Sequence, residues 1–503
     1  GTTEADKRYL LCMIGEYDHK TGKVSKPVVV HDKEGVDDPH DNPVLLIDDE
    51  DYIWVFVSGR GARRPGFKYR SREPLNISAF DKITEDEMTY PQPWKTKDGF
   101  LHLFTKYTGI RQLYFETSTD GITWTEDKLL AAMPEKVGER SGHYQISSMY
   151  GKNKVGTFFN RHPDGNVDKR TDLYYVQTTD FASTWTTVDG KPMEIPMVKP
   201  DIPARVINYS SMGKNVYIHD MLFDDKGNPV CLYIRSNGHE PGPVSGPYEW
   251  CITRWTGKKW VTHVITTSDH NYDMGSIYVS GKNMKLVAPT VKSPQKWGVG
   301  GEIVLWESKN SGKTWKKARN ITSNSSYNHS YVRRPVNYAA PFCFFWADGH
   351  PHEFSKSQLY FGDFEGNVWR LPYEMKEDFE KPEKIEWKPL FNGKNLDGWS
   401  VKCLPADVGK NFWRVENGTI LCNSIHDSTH NYVWLMHESE FDDFELKLKF
   451  QAYRDSPGNS GVQIRIRFNQ NSLAEGGFWL DGPQVDIDPT TQWRTGFIYD
   501  EKP

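Results

Sequence analysis

Histidine, tyrosine and arginine recur in this chain at the ends of short apolar hairpins. In "DDPHDNPVLLIDDEDYIWVFVSGR" (37–60) the run "VLLI", the turn "DDED" and the run "YIWVFV" fold back on one another. Pairs in an antiparallel hairpin have a constant index sum, so folding about the turn brings His40 and Arg60 together at the open end. The same arithmetic sets Tyr90 beside Tyr107, His143 and Tyr144 beside Arg161 and His162, and His219 opposite Arg235. It also brings His329 and Arg333 near Asp348 and His350, while His270 and Asp273 enter a further hairpin. A guanidinium binds a carboxylate bidentately, so Arg60 or Arg161 is suited to hold and neutralise one. Neutralisation acidifies the neighbouring C–H, and His40 or Tyr144 is placed to take that proton. His143 and His162 complete this candidate catalytic set; Tyr90, His219, Arg235, His270, His329 and Arg333 are candidate substrate contacts. A His or Tyr at a strand entry also caps backbone groups, and an Arg there is often solvated, so the cluster carries more than any member.

Positioning such residues is the work of the repeat. Six segments read as hairpins, and nearly every one is followed by a third strand, "FKYRS", "QLYFETS", "DLYYVQT", "EWCITRW", "EIVLWES" or "QLYFGDF". Several strands per unit at this period predict an all-β fold, a six- or seven-bladed β-propeller. The N-terminal "YLLCMIGEYDHKTGKVSKPVVV" supplies two further strands that either close the ring or begin a seventh blade. In a propeller the open ends of the inner hairpins gather around one mouth of the channel, which turns the pairing arithmetic into a map of one site. The predicted boundaries are a propeller over 1–373, a charged, Pro-containing linker over 374–389 and a second domain over 390–503.

Composition narrows the partners. The 503 residues carry a net charge of −5, which argues against a nucleic-acid or anionic-membrane binder, and no apolar run reaches membrane-spanning length. No signal peptide is visible, and "GTTEADK" reads as a mature or trimmed start. Six cysteines without a C-x-x-C pair argue against a zinc cluster; Cys231 with Cys251, or Cys403 with Cys422, are candidate disulfides, with buried free thiols as the alternative. No cofactor is required by the sequence, and oligomeric state is not encoded in any visible pattern.

The second domain changes style. "DFELKLKFQAY" and "SGVQIRIRF" alternate strictly, as half-buried strands of an antiparallel sandwich do, with Phe444, Leu446, Leu448 and Phe450 on one face. Gln484, Asp486 and Asp488 fall on one strand face, where Asp486 and Asp488 suit acid–base glycoside chemistry or a divalent cation such as calcium. Arg465 faces the same way as Gln463 and Arg467 and is a candidate sugar contact; a solvated outer face is the competing reading.

"STDGITW" (118–124) and "SKNSGKTW" (308–315) resemble the Asp-box motif, and "TTDFASTW" (178–185) resembles a degenerate copy. This motif implies a tied turn between the outer strands of a blade, not a catalytic element. With the "HDNP" opening and "SDHNYDMGSIYV", the N-terminal region resembles the BNR-repeat-like propellers of carbohydrate-active enzymes, which include ulvan lyases and rhamnose–glucuronate-cleaving enzymes. "LFNGKNLDGW", "FWRVENGTILC", "GNSGVQIRIR" and "GPQVDID" resemble the 3-keto-disaccharide hydrolase domain family, a concanavalin-like jelly roll, in a version ending early at "YDEKP". These resemblances imply an extracellular or periplasmic enzyme acting on a uronate- or rhamnose-containing polysaccharide or oligosaccharide. Glycoside hydrolysis is the leading expectation, β-elimination at a uronate the alternative, and non-catalytic glycan binding a third. In the resembling lyases a His of the opening motif acts with a second His and a Tyr/Arg pair. His40 matches the first and Tyr144 with Arg161 the pair, while Arg60 stands at the second His position. A sialidase reading would need an early "FRIP" segment, which the sequence lacks.

Overall fold

Apolar–polar alternation, cut by Gly, Asn and Asp turns, builds antiparallel sheets throughout, and no α-helix occurs among the described residues. The computed structural model describes all residues except 1, 5, 6, 37, 39, 108, 109, 135, 137, 293, 387, 428, 431, 442, 443, 445, 454–459, 470–478, 489–494, 502 and 503. The chain divides into two units, Gly1–Ile385 and Glu386–Pro503.

The first unit is a seven-bladed propeller. Its first blade comprises Pro43–Ile47, Ile53–Val57, Gly66–Ser71 and Phe80–Asp86. Blades two to six repeat the pattern, with inner strands Thr89–Thr96, Gln145–Tyr150, Asn215–Phe223, Ser276–Ser280 and Asn328–Arg333. The N-terminal strands complete the ring: Leu11–Ile14 pairs with Val28–Asp32, and Lys23–Ser25 pairs with Tyr17–Asp18 and with Phe379–Glu380. Cys12 and Ile14 pack with Ile53, Val55 and Val57 of the first blade, while the Tyr17 ring lies 5.1 Å from Phe361 of the sixth. This closure corrects the expected linker over 374–389. Phe379–Glu380 belongs to the closing blade, and Glu383–Lys384 extends the sixth through Val368–Arg370, because a charged stretch can still supply backbone ladder bonds.

The Asp boxes tie the third strand to the fourth. Asp120 accepts the backbone N–H groups of Ile122 and Thr123, each at 2.8 Å, and the Trp124 indole N–H donates to the Gly121 carbonyl at 2.7 Å. Gly121 has φ +76°, and a Cβ there would lie 2.5 Å from the Trp54 ring of the preceding blade, so only glycine fits.

Register modifies the pairing map. The first hairpin pairs Pro43 with Val57 through Ile47 with Ile53, which sets residue 40 level with residue 60. In the fourth, Arg235 faces Val216, because the turn closes from Asp224 to Asn228 and a bulge at His219 adds a residue to one strand. His219 and Arg235 are not partners.

The second unit is jelly-roll-like. Trp399–Cys403 pairs with Val433–His437, Trp413–Glu416 with Thr419–Cys422, and Trp479–Ile487 is flanked by Ser460–Gln463, Arg467–Asn469 and Ile498–Glu501. Two expected strands differ. "SGVQIRIRF" is interrupted between Gln463 and Arg467, where Arg465 has φ +51°. Phe444, Leu446, Leu448 and Phe450 form no strand and are exposed, since alternation without a ladder partner cannot hold a strand; residues 443 and 445 of that stretch lie outside the described residues. All six cysteines are free thiols, so neither candidate disulfide forms.

Candidate functional site

In each blade the first strand leaves the mouth of the channel, the second returns and the third leaves again. Entries to first strands and loops between second and third strands therefore open on the same side. Eight side chains from the first three blades meet there in a continuous arc of rings and guanidinium groups. The His40 ring lies 6.3 Å from Tyr90, Tyr90 lies 5.5 Å from Tyr144, and Tyr144 packs edge-on against His162 at 4.8 Å. Arg60 and Arg111 both donate to the Tyr107 hydroxyl, each at 3.0 Å. Arg111 sits 5.7 Å over the Tyr144 ring, and Arg170 sits 4.5 Å over Tyr144 and 4.3 Å over Tyr217. Arg170 also donates to the Tyr272 hydroxyl, which carries the arc towards His270.

Charge along the arc is unbalanced. Arg60 and Arg64 pair with Asp38 at 3.5 and 2.6 Å, and Arg64 and Lys33 pair with buried Asp41 at 3.1 and 3.0 Å. Among the described residues Arg111 and Arg170 have no carboxylate partner. Arg111 and Arg170 are themselves buried, so the arc is a cationic lining faced with phenols, suited to a carboxylate. The His40 Nδ1 hydrogen-bonds Asp38. Burial works against ionised Asp38, but the hydrogen bonds from Arg64 and His40 outweigh it and hold the carboxyl well below the usual range. A carboxylate on Nδ1 fixes the ring and leaves Nε2 as the nitrogen able to take a proton. Tyr90 is pushed far up, first by burial and then by Tyr144, so it keeps its proton.

Sequence reasoning located His40, Arg60, Tyr90, Tyr144 and His162 in this arc and missed Arg111, Arg170 and Asp38. Arg111 and Arg170 each stand immediately before the third strand of their blade, Gln112–Ser118 and Thr171–Thr178. That repeated position, rather than the hairpin ends, was the available signal.

Several candidates sit elsewhere. Arg161 is buried and ion-paired with Asp172 at 2.7 Å, inside its own blade. His143 is fully buried, with Nδ1 donating to the Asn160 carbonyl at 2.8 Å and Nε2 accepting from Met133 N–H at 3.1 Å, so it has no lone pair for chemistry. His162, by contrast, is in the arc but buried beside Tyr144, and among the described residues neither ring nitrogen has a hydrogen-bond partner. His219 is buried, hydrogen-bonding the Asn271 carbonyl at 3.0 Å. Arg235 pairs with Glu249 at 2.8 Å, and His329 is held by Ser325 at 2.9 Å and the Trp346 indole at 2.8 Å. Arg333 pairs in register with Phe345. In the second unit Arg465 is exposed, while Asp486 and Asp488 are buried rather than solvent-facing. Gln484 donates to Asp486 at 3.1 Å. Among the described residues no group of three or more His, Cys, Asp or Glu is placed to hold a metal ion.

The buried histidines make the propeller sensitive to acid. Burial pushes His143 down to about 4 and His219 to about 3, from 6.5. Below pH 6.5 the unfolded chain takes up protons that the folded one refuses. The stability is complete above that pH and is lost as pH falls towards the folded values. His143 alone accounts for about 3 kcal/mol by pH 4. Thermal midpoints measured from pH 7 to 4 should fall steeply, and His143→Gln should flatten the fall.

Comparison with known proteins agrees with this architecture. An "Ulvan lyase" of Nonlabens ulvanivorans is 22% identical over 354 residues, covering 61% of this chain and 71% of that protein. An "Ulvan lyase" of Alteromonas sp. (strain LOR) is 22% identical over 320 residues, covering 56% of this chain and 64% of that protein, less than two thirds of its length. A solved polysaccharide lyase, an ulvan lyase bound to -[GlcA(1-4)Rha3S]-, superposes with a TM-score of 0.58 at 17% identity, over 70% of this chain and 86% of its own; the likeness is one of fold. Residues 386–503 match a 3-keto-alpha-glucoside-1,2-lyase-like domain. Residues 7–268 match the BNR repeat-containing family, just over half of the chain, and the chain belongs to that family.

Proposed function

We propose that this chain is a polysaccharide lyase that cleaves beside a uronate by β-elimination at the propeller mouth. The observation that carries the reading is the arc itself: Arg111 and Arg170, two guanidinium groups without carboxylate partners among the described residues, flank the Tyr144 ring. Hydrolysis was the leading sequence expectation, and two considerations support placing elimination ahead of it. Glycoside hydrolysis commonly needs a pair of available carboxyl groups, whereas the carboxylate that touches the arc, Asp38, is committed. Asp38 serves His40, Arg60 and Arg64. The curated relatives are named ulvan lyases.

In this mechanism Arg111 and Arg170 bind the uronate carboxylate and offset the charge that develops on it. His40 Nε2 takes the proton from the carbon next to the carboxylate. The electron pair of that C–H bond becomes the new C=C bond as the bond from the β-carbon to the glycosidic oxygen breaks. Tyr144 hands its hydroxyl proton to the departing oxygen, and exchange with water returns both groups to their starting forms. No water adds to the products. A polymer substrate of this kind places the protein outside the cell or in the periplasm.

Product masses test the reading. Digestion of ulvan should give fragments whose summed mass equals that of the parent; fragments heavier by one water per cleavage would mean hydrolysis and overturn it.

A further inference from the structure

The mouth has a second half with different chemistry. The loop between the second and third strands of the fifth blade, 292–301, carries Trp297 at the position in the repeat that holds the arginine-bearing loops of blades two and three. Trp297 is 41% exposed although indole rings normally bury. It is not a loose side chain. Its ring lies so close to Gly242 that a Cβ there would come within 2.8 Å, and the next residue, Gly298, leaves no room for a Cβ against Pro351 of the sixth blade. The loop is pinned to the sixth blade's inner strand: Gln295 N–H donates to Asn328 Oδ1 at 3.1 Å, and Asn328 N–H donates to Gln295 Oε1 at 2.9 Å. Exposed Lys296 places its ammonium 4.3 Å from the Trp297 ring centre. Tyr327, at the entry to that inner strand, is 37% exposed and lies 6.2 Å from His350.

Contacts connect this shelf with the arc. Arg170 bonds Tyr272, the Tyr272 ring lies 5.7 Å from His270, and the Gly242 N–H under Trp297 donates to the Asp269 carbonyl at 2.8 Å, next to His270. We infer that Trp297, with Lys296, is a second carbohydrate subsite, which stacks the apolar face of a pyranose belonging to the same glycan chain that Arg111 and Arg170 hold and pairs with an anionic substituent on it. The inference rests on the proposal that a charged polysaccharide binds this mouth. Gly242 backs one face of the indole and the Lys296 ammonium lies over the ring, so the outer face meets the C–H face of a sugar ring as that flexible side chain turns to the ring's charged substituent. The substituent is a sulfate ester or a carboxylate.

Affinity electrophoresis through gels containing ulvan reads binding without bond cleavage, and is best run in the Tyr144→Phe background so that the polymer survives. Trp297→Ala should weaken retention roughly tenfold, and Trp297→Phe should recover most of it. Lys296→Ala should also weaken retention; loss of that effect in desulfated ulvan identifies the sulfate ester, and its persistence the carboxylate. Unchanged retention of Trp297→Ala, with thermal midpoint intact and Arg170→Ala released, would overturn the subsite, as would an ulvan gel that never retards the parent protein. The two proposals fail separately. Wild-type protein that leaves ulvan intact while retention still depends on Trp297 sinks the lyase alone; ulvan cleaved with retention indifferent to Trp297 sinks the subsite alone.

Discussion

Tyr144→Phe should lower the rate of polysaccharide cleavage by roughly 10²–10⁴ while leaving substrate affinity and thermal stability nearly unchanged. The phenyl ring keeps the edge contact with His162 at 4.8 Å, the packing on Tyr90 at 5.5 Å and the guanidinium of Arg170 at 4.5 Å. Only the hydroxyl is lost, and with it the proton for the departing oxygen. Arg111 and Arg170 remain to hold the carboxylate, so the defect should appear in kcat with KM little altered. Tyr90→Phe is the matched control. Its hydroxyl is held protonated, chiefly by burial, and its removal should cost far less. Comparable losses in the two variants would take the proton-transfer role away from Tyr144.

Arg161→Met should cost about 3–5 kcal/mol of stability, a folding defect rather than a chemical one. Its guanidinium is 2.7 Å from Asp172, and both side chains are buried. Removing it strands a carboxylate whose remaining support is the Ser210 backbone N–H at 2.7 Å and hydroxyl at 3.3 Å and the Tyr174 hydroxyl at 3.5 Å. Adding Asp172→Asn should restore much of the loss, since the stranded charge disappears and asparagine tolerates the left-handed φ of +59° at that position. Thermal or urea denaturation reads both effects. Arg111→Met, by contrast, should leave stability closer to that of the parent and weaken substrate binding, because among the described residues that guanidinium has no carboxylate to abandon.

Much of this was legible in the sequence, and the gaps have physical reasons. The repeat of hairpin plus third strand and the Asp boxes dictate the propeller, because strand alternation and turn chemistry are local properties. The closing blade was only half legible: Phe379–Glu380 lies in a charged stretch and joins Lys23–Ser25 from the far end of the chain, a pairing no local pattern encodes. Hairpin arithmetic found His40, Arg60, Tyr90, Tyr144 and His162 because strand ends fix which mouth a residue reaches. It could not say which way a side chain turns at that end. Arg161 turns into its blade towards Asp172, whereas Arg170, on the loop that follows, reaches the mouth. Turn placement and bulges defeat the same arithmetic, as at His219, where a turn closed from Asp224 to Asn228 and a bulged residue together set Arg235 opposite Val216. In the second unit the alternation of Phe444 to Phe450 described a possible strand, but a strand exists only with a neighbour to complete its ladder.

The central claim is elimination at the propeller mouth, and the most direct measurement follows the ultraviolet absorbance of the conjugated unsaturated uronate during incubation with ulvan, with reducing ends assayed alongside. Absorbance and reducing ends should rise together in the wild-type protein, and both should collapse in His40→Ala and in Tyr144→Phe. Reducing ends that rise without absorbance, or absorbance that survives in both variants, would contradict it.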